Sequence, residues 1–80
     1  MAQLLKSDGE VIDNVDISSL EKMQELVGGY IEIIYLNDDK VLIVNEEGLI
    51  LQLPFNQRAS GIFKSKLVGD IILCKINEIE

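Results

Sequence analysis

Tyr30-Ile31-Glu32-Ile33-Ile34-Tyr35-Leu36, then Asn37-Asp38-Asp39-Lys40, then Val41-Leu42-Ile43-Val44 is the stretch whose reading decides the fold. Two runs of β-branched and aromatic residues flank four turn-forming ones, which is the chemistry of a β-hairpin. Toward the C-terminus, Asn45-Glu46-Glu47-Gly48 reads as another turn and Leu49-Ile50-Leu51-Gln52-Leu53 as a third strand, so the three form an antiparallel meander. Pro54 ends that strand because it cannot donate to a ladder. Residues 56–63 read as a short helix or irregular loop, with Gly61 inside it, and residues 68–76 as the last strand.

Toward the N-terminus, Gln3-Leu4-Leu5 and Val11-Ile12 are short β-prone runs on either side of Ser7-Asp8-Gly9-Glu10, a tight-turn sequence. Ser18-Ser19-Leu20-Glu21 matches a capping box, with Ser18 as the cap. Leu20, Met23, Leu26 and Val27 then share one face, and Gly28-Gly29 supplies a left-handed stop, which predicts a helix over 18–27. The order is ββαβββ, a short helical segment, then β. This is a single α+β domain over residues 1–80: a small, mostly antiparallel β-sheet with one main helix packed on it.

The chain has 80 residues, 48% of them hydrophobic, and a net charge of −7 from fourteen acidic and seven basic residues. A domain this small buries only about 60% of the surface its unfolded chain exposes, so the aliphatic excess predicts a homo-oligomer. Its acidity disfavours binding to duplex nucleic acid, and the acids are too scattered to mimic one. Histidine is absent and Cys74 is the single cysteine, which removes an intrachain disulfide framework, His-containing zinc sites and Ser-His or Cys-His nucleophiles. Cys74 reads as a small hydrophobe in a strand. No apolar run approaches the roughly 20 residues that span a bilayer, and the N-terminus lacks a basic segment followed by a long apolar one. The expectation is a soluble, cytoplasmic protein.

Catalysis finds little support. Glu46 and Glu47 are adjacent, so in extended chain they point to opposite faces and do not share a substrate. Asp38-Asp39 fits a hairpin tip and matches no calcium loop, and Gly28-Gly29 precedes a strand rather than opening a helix. The reading is a protein without enzymatic activity or cofactor.

Arg58, the only arginine, is different in kind, because its planar fork of donors matches phosphate or carboxylate. With Asn45, Asn56 and Gln57 to read nucleobase edges, Glu46 beside them, Tyr30 to stack and Lys64 to add charge, it forms a candidate ligand-binding set for a small anionic nucleotide. The same residues have a structural reading. Arg58 would pair with Glu46 or Glu47 and the carboxamides would cap turns. Residue chemistry leaves both open.

Val27-Gly28-Gly29-Tyr30-Ile31-Glu32, Val44-Asn45-Glu46-Glu47-Gly48, Leu53-Pro54-Phe55-Asn56-Gln57-Arg58-Ala59 and Val68-Gly69-Asp70 resemble the consecutive motifs of the phage and plasmid family catalogued as domain of unknown function 3846. The likeness runs from about Leu20 to Leu73. It implies a mobile-element origin and no activity that transfers residue by residue. Phage proteins of this size often act stoichiometrically, since binding needs no turnover. The expectation is a sponge in the bacterial host cell that sequesters a cyclic oligonucleotide or cyclic ADP-ribose signal of anti-phage defence. The alternative is an acidic protein-protein inhibitor that docks its surface or a strand edge on a host or defence enzyme.

Overall fold

In the computed structural model, which describes residues 2–37 and 39–80, five strands form one antiparallel sheet. β1 (Gln3–Leu5), β2 (Val11–Asp13), β3 (Ile31–Tyr35), β4 (Lys40–Asn45) and β5 (Ile71–Lys75) lie in the spatial order β2-β1-β5-β4-β3. Two helices, α1 (Leu20–Val27) and α2 (Gln57–Phe63), complete the α+β architecture, and a 3-10 turn follows at Ile76–Glu78.

Side-chain alternation along the strands sends the apolar residues to both faces. Leu4, Val41, Ile43, Ile72 and Cys74 form a core with Val27, against which Met23 and Leu26 of α1 pack. Leu5, Leu42, Val44 and Ile71 form a second core with Ala59 of α2. The central strands are therefore covered on both sides, which explains why β4 and β5 read as nearly continuous aliphatic runs.

The first hairpin closes as its sequence dictates. Gly9, at φ 98, donates to the Lys6 carbonyl at 3.0 Å, and the Lys6 amide donates to the Glu10 carbonyl at 2.8 Å. α1 starts one residue later than the capping box suggests. The Asp16 carboxylate accepts the Ser18 amide at 2.9 Å, which holds Ser18 outside the helix and leaves Ser19 to accept the Lys22 amide at 3.2 Å. Leu20 thus becomes the first helical residue and is exposed rather than part of the core stripe. Gly28 ends the helix at φ 83, where its amide reaches the Gln24 carbonyl at 2.8 Å.

The expected third meander strand, 49–53, is not a strand. β4 already has a neighbour on each side, β3 and β5, so no place beside it remains. The segment instead folds on itself: the Leu51 amide donates to Glu47 at 2.9 Å, Gln52 to Leu49 at 3.2 Å and Leu53 to Gly48 at 3.0 Å, with Gln52 at φ 56. The last strand is also shorter than expected. Val68 forms an isolated bridge with Phe55, and β5 proper begins at Ile71. Of the Asp38-Asp39 pair, Asp38 lies outside the described residues; Asp39 has φ 63, and its carbonyl accepts the Ile76 amide at 2.7 Å.

Candidate functional site

The polar residues singled out in the sequence do not converge. Asn56 is completely buried. Its Nδ2 donates to the carbonyls of Leu5 and Gly69, each at 2.8 Å, and its Oδ1 accepts the Ala59 amide at 3.0 Å, which caps α2. One carboxamide thus ties β1, the loop before β5 and α2 together. Asn45, 6% exposed, plays a like part on the α1 side of the sheet. Its Nδ2 donates to the Val27 carbonyl at the end of α1 at 3.2 Å, and its Oδ1 accepts the Glu47 amide at 2.8 Å. Gly29 is needed there, since a Cβ would sit 2.9 Å from Asn45 Nδ2. These two asparagines are scaffolding and have little left to offer a ligand.

Gln57 and Arg58 are exposed on α2 and line a hollow with Gly9 and Gly61. Arg58 Nη2 reaches the Gly9 carbonyl at 3.4 Å. Among the described residues no ion pair joins it to Glu46 or Glu47; the pairs there are Lys6 with Glu10 and Lys22 with Asp16. Lys64 sits at the opposite end of α2, at φ 60, in a hollow of about 440 Å³ that it shares with Asn37, Lys40 and Phe63. Lys75 lies directly across from Lys40 in the β4–β5 register. Tyr30 is exposed, and its carbonyl accepts the Glu46 amide at 2.9 Å. Lys40 and Phe63 carry no local sequence signal; only the packing of α2 beside the β3–β4 hairpin brings them together.

A concavity with largely apolar walls lies between β3, β4 and the turn that follows. About 310 Å³ in volume, it is walled by Ile34, Val44, Leu67 and Val68, with Glu32, Glu46 and Lys66 also lining it. Leu49 and Ile50 overhang it and stand in water, 68% and 80% exposed, and Leu51 beside them is 53% exposed. Three consecutive bare aliphatic residues on a hydrogen-bonded turn are an unusual surface for a soluble chain. A run of three aliphatics is as compatible with a doubly buried strand as with an exposed turn, so the sequence alone did not mark it.

Among the described residues, the groups whose titration is clearly shifted lie outside these hollows. The Asp16 carboxyl is held below its ordinary range by hydrogen bonds from Ser18, and that of Glu78 by the Lys75 amide at 2.7 Å. Burial pushes the Cys74 thiol up to about 11. Among the described residues no group of His, Cys, Asp and Glu side chains could hold a metal ion, and no buried side-chain nitrogen or oxygen lacks a hydrogen-bond partner. None of the described helices is long and apolar enough to cross a membrane.

A family model described as domain of unknown function (DUF3846) matches residues 1–80, further in both directions than the motifs between Leu20 and Leu73. No curated protein and no solved structure matches the chain significantly.

Proposed function

Since the chain belongs, over its whole length, to the DUF3846 family, whose description assigns no activity, we infer a stoichiometric binding protein without enzymatic activity that docks on a partner protein through the turn at residues 48–53. The observation that carries this reading is the exposure of Leu49, Ile50 and Leu51 on a backbone already fixed by its own hydrogen bonds. Such a knob loses little conformational entropy on binding, and its apolar surface gains by leaving water. Glu46 and Glu47 precede it and Glu32 lines the adjoining groove. The matching partner surface is an apolar cleft edged by Lys or Arg, and the net charge of −7 steers encounter with it. The resemblance to phage and plasmid proteins supports reading this partner as a host or defence enzyme of a bacterial cell.

The test compares tagged wild-type protein with Ile50→Asp in bacterial cells. Expected is one enriched enzyme that reconstitutes with purified wild type at a fixed stoichiometry. Its affinity should fall with salt and at least about tenfold with the aspartate, as for loss of a central apolar contact. An Ile50→Asp variant that binds its partner as tightly as wild type would refute the docking turn.

A second reading rests on a separate observation. Lys40 and Lys64 share one hollow with Asn37 and Phe63, and Lys75 stands opposite Lys40, so three of the seven basic residues gather at one end of an acidic chain. That grouping supports a sponge for a small anionic nucleotide, with the lysines on phosphate and Phe63 against a base. A thermal-shift screen with cyclic dinucleotides, cyclic trinucleotides and cyclic ADP-ribose isomers tests it. A ligand at 100 times its Kd stabilises by about 2.7 kcal/mol, should be recovered intact after denaturation, and should lose its effect in Lys40→Ala/Lys64→Ala. No shift with any of them would exclude this reading.

A further inference from the structure

The two outer strands of the sheet are unequal. β2 has three residues, carries Asp13 and ends at Asn14 with φ 57. A short, charged, abruptly turned edge of this kind resists pairing with another chain. β3 has five residues, Ile31-Glu32-Ile33-Ile34-Tyr35, with no proline, no lysine and a single charge. It lacks the usual devices that protect an edge.

The hydrogen-bond phase of β3 is fixed by its ends. The Glu46 amide donates to the Tyr30 carbonyl at 2.9 Å, and the Leu36 amide donates to the Lys40 carbonyl at 2.8 Å. In an antiparallel ladder, residues whose N–H and C=O face the partner alternate with residues whose groups face away. Tyr30, Glu32, Ile34 and Leu36 therefore address β4, while Ile31, Ile33 and Tyr35 turn their N–H and C=O outward. Among the described residues nothing pairs with that side, since β3 is the last strand of the sheet.

We propose that this edge is a homodimer interface: β3 of one copy pairs antiparallel with β3 of a second copy about a two-fold axis through Ile33, making a continuous ten-stranded sheet. The pairing is self-complementary in register. Ile33 meets Ile33 of the partner subunit, and Ile31 meets Tyr35 of the partner subunit; each of these is a pair of outward-facing residues that exchanges two hydrogen bonds. On the α1 face the seam is then wholly apolar, built from Ile31, Ile33 and Tyr35 of each copy. On the α2 face Glu32 stands opposite Ile34 of the partner subunit, so no two acids meet directly across the strands, as a pair of chains at −7 each requires.

A stable interface covers about 800 Å² per partner, roughly a sixth of the 5135 Å² that this chain exposes. A five-residue edge is about 17 Å long, and the exposed Tyr35 and half-buried Ile31 and Ile33 widen it along the seam. The interface does not use the Leu49–Leu51 turn, and it meets the docking groove proposed above only at Glu32 and Ile34, which border both.

The experiment combines light scattering with residue-resolved amide exchange across a dilution series. The expected mass at NMR concentration is twice that of the 9.0 kDa chain. The Ile31, Ile33 and Tyr35 amides should be protected in the dimer and lose protection on dilution, while the Glu32, Ile34 and Leu36 amides stay protected throughout. A monomer at the highest concentration would overturn the proposal, and so would a dimer in which the three outward amides exchange freely. Tyr35→Pro removes an outward N–H that β4 does not use and should weaken the dimer at least about tenfold, as expected for two lost hydrogen bonds. Ile50→Asp should leave the mass unchanged; a monomeric Ile50→Asp would move the interface to the turn and refute the edge.

Discussion

Replacing Asn56 with alanine should unfold much of what this protein has in reserve. The side chain is completely buried and makes three hydrogen bonds, two donated to the Leu5 and Gly69 carbonyls and one accepted from the Ala59 amide. Loss of the helix cap costs about 1 kcal/mol, and each buried carbonyl left short of a partner costs about 1–2 kcal/mol. The total is about 3–5 kcal/mol, against a stability of about 4–12 kcal/mol for a domain of this length. Urea denaturation followed by circular dichroism should show the midpoint falling with an unchanged slope, and Tm should drop by at least about 12 °C. Asn56→Asp sharpens the test. It keeps the cap acceptor but aims an anion at two carbonyl oxygens, so at neutral pH it should be no milder than alanine. Arg58→Ala, two residues away and exposed, should change stability by less than about 0.5 kcal/mol. An Asn56→Ala cost under about 1 kcal/mol would refute the scaffold role.

Asn45→Ala should cost about 1–3 kcal/mol by the same denaturation assay, because it frees the Val27 carbonyl and the Glu47 amide. Gly69→Ala should cost about 1–3 kcal/mol, since φ is 80 and a Cβ would lie 2.8 Å from Leu53 Cδ1; Leu53→Ala in the same chain should relieve the clash and leave the backbone strain. Cys74, whose thiol stands at about 11 in the folded chain against an ordinary 9.0, makes stability fall with rising pH. The unfolded thiol loses its proton first, so the loss begins near 9.0 and is complete above about 11; Cys74→Ala should flatten that part of the stability profile. The native thiol should also resist disulfide reagents at neutral pH until denaturant opens the core.

Elements whose signals are local are legible in the residues themselves. The Asp8-Gly9 turn, the Gly28 helix stop and the β3–β4 hairpin each depend on residues within a few positions of one another, and each forms where its sequence places it. The helix start shifted by one residue because Asp16 competes for the Ser18 amide. Elsewhere non-local pairing prevailed over local pattern. β5, from the far end of the chain, inserts between β1 and β4, so the 49–53 segment finds no place beside β4 and becomes an exposed turn. The same insertion changes the meaning of the carboxamides. Asn56 lies 51 residues from Leu5 in sequence and 2.8 Å from its carbonyl in space, a contact no residue pattern encodes. Asparagine offers a donor pair and an acceptor to a ligand and to a buried main chain alike, and only the burial around it distinguishes the two.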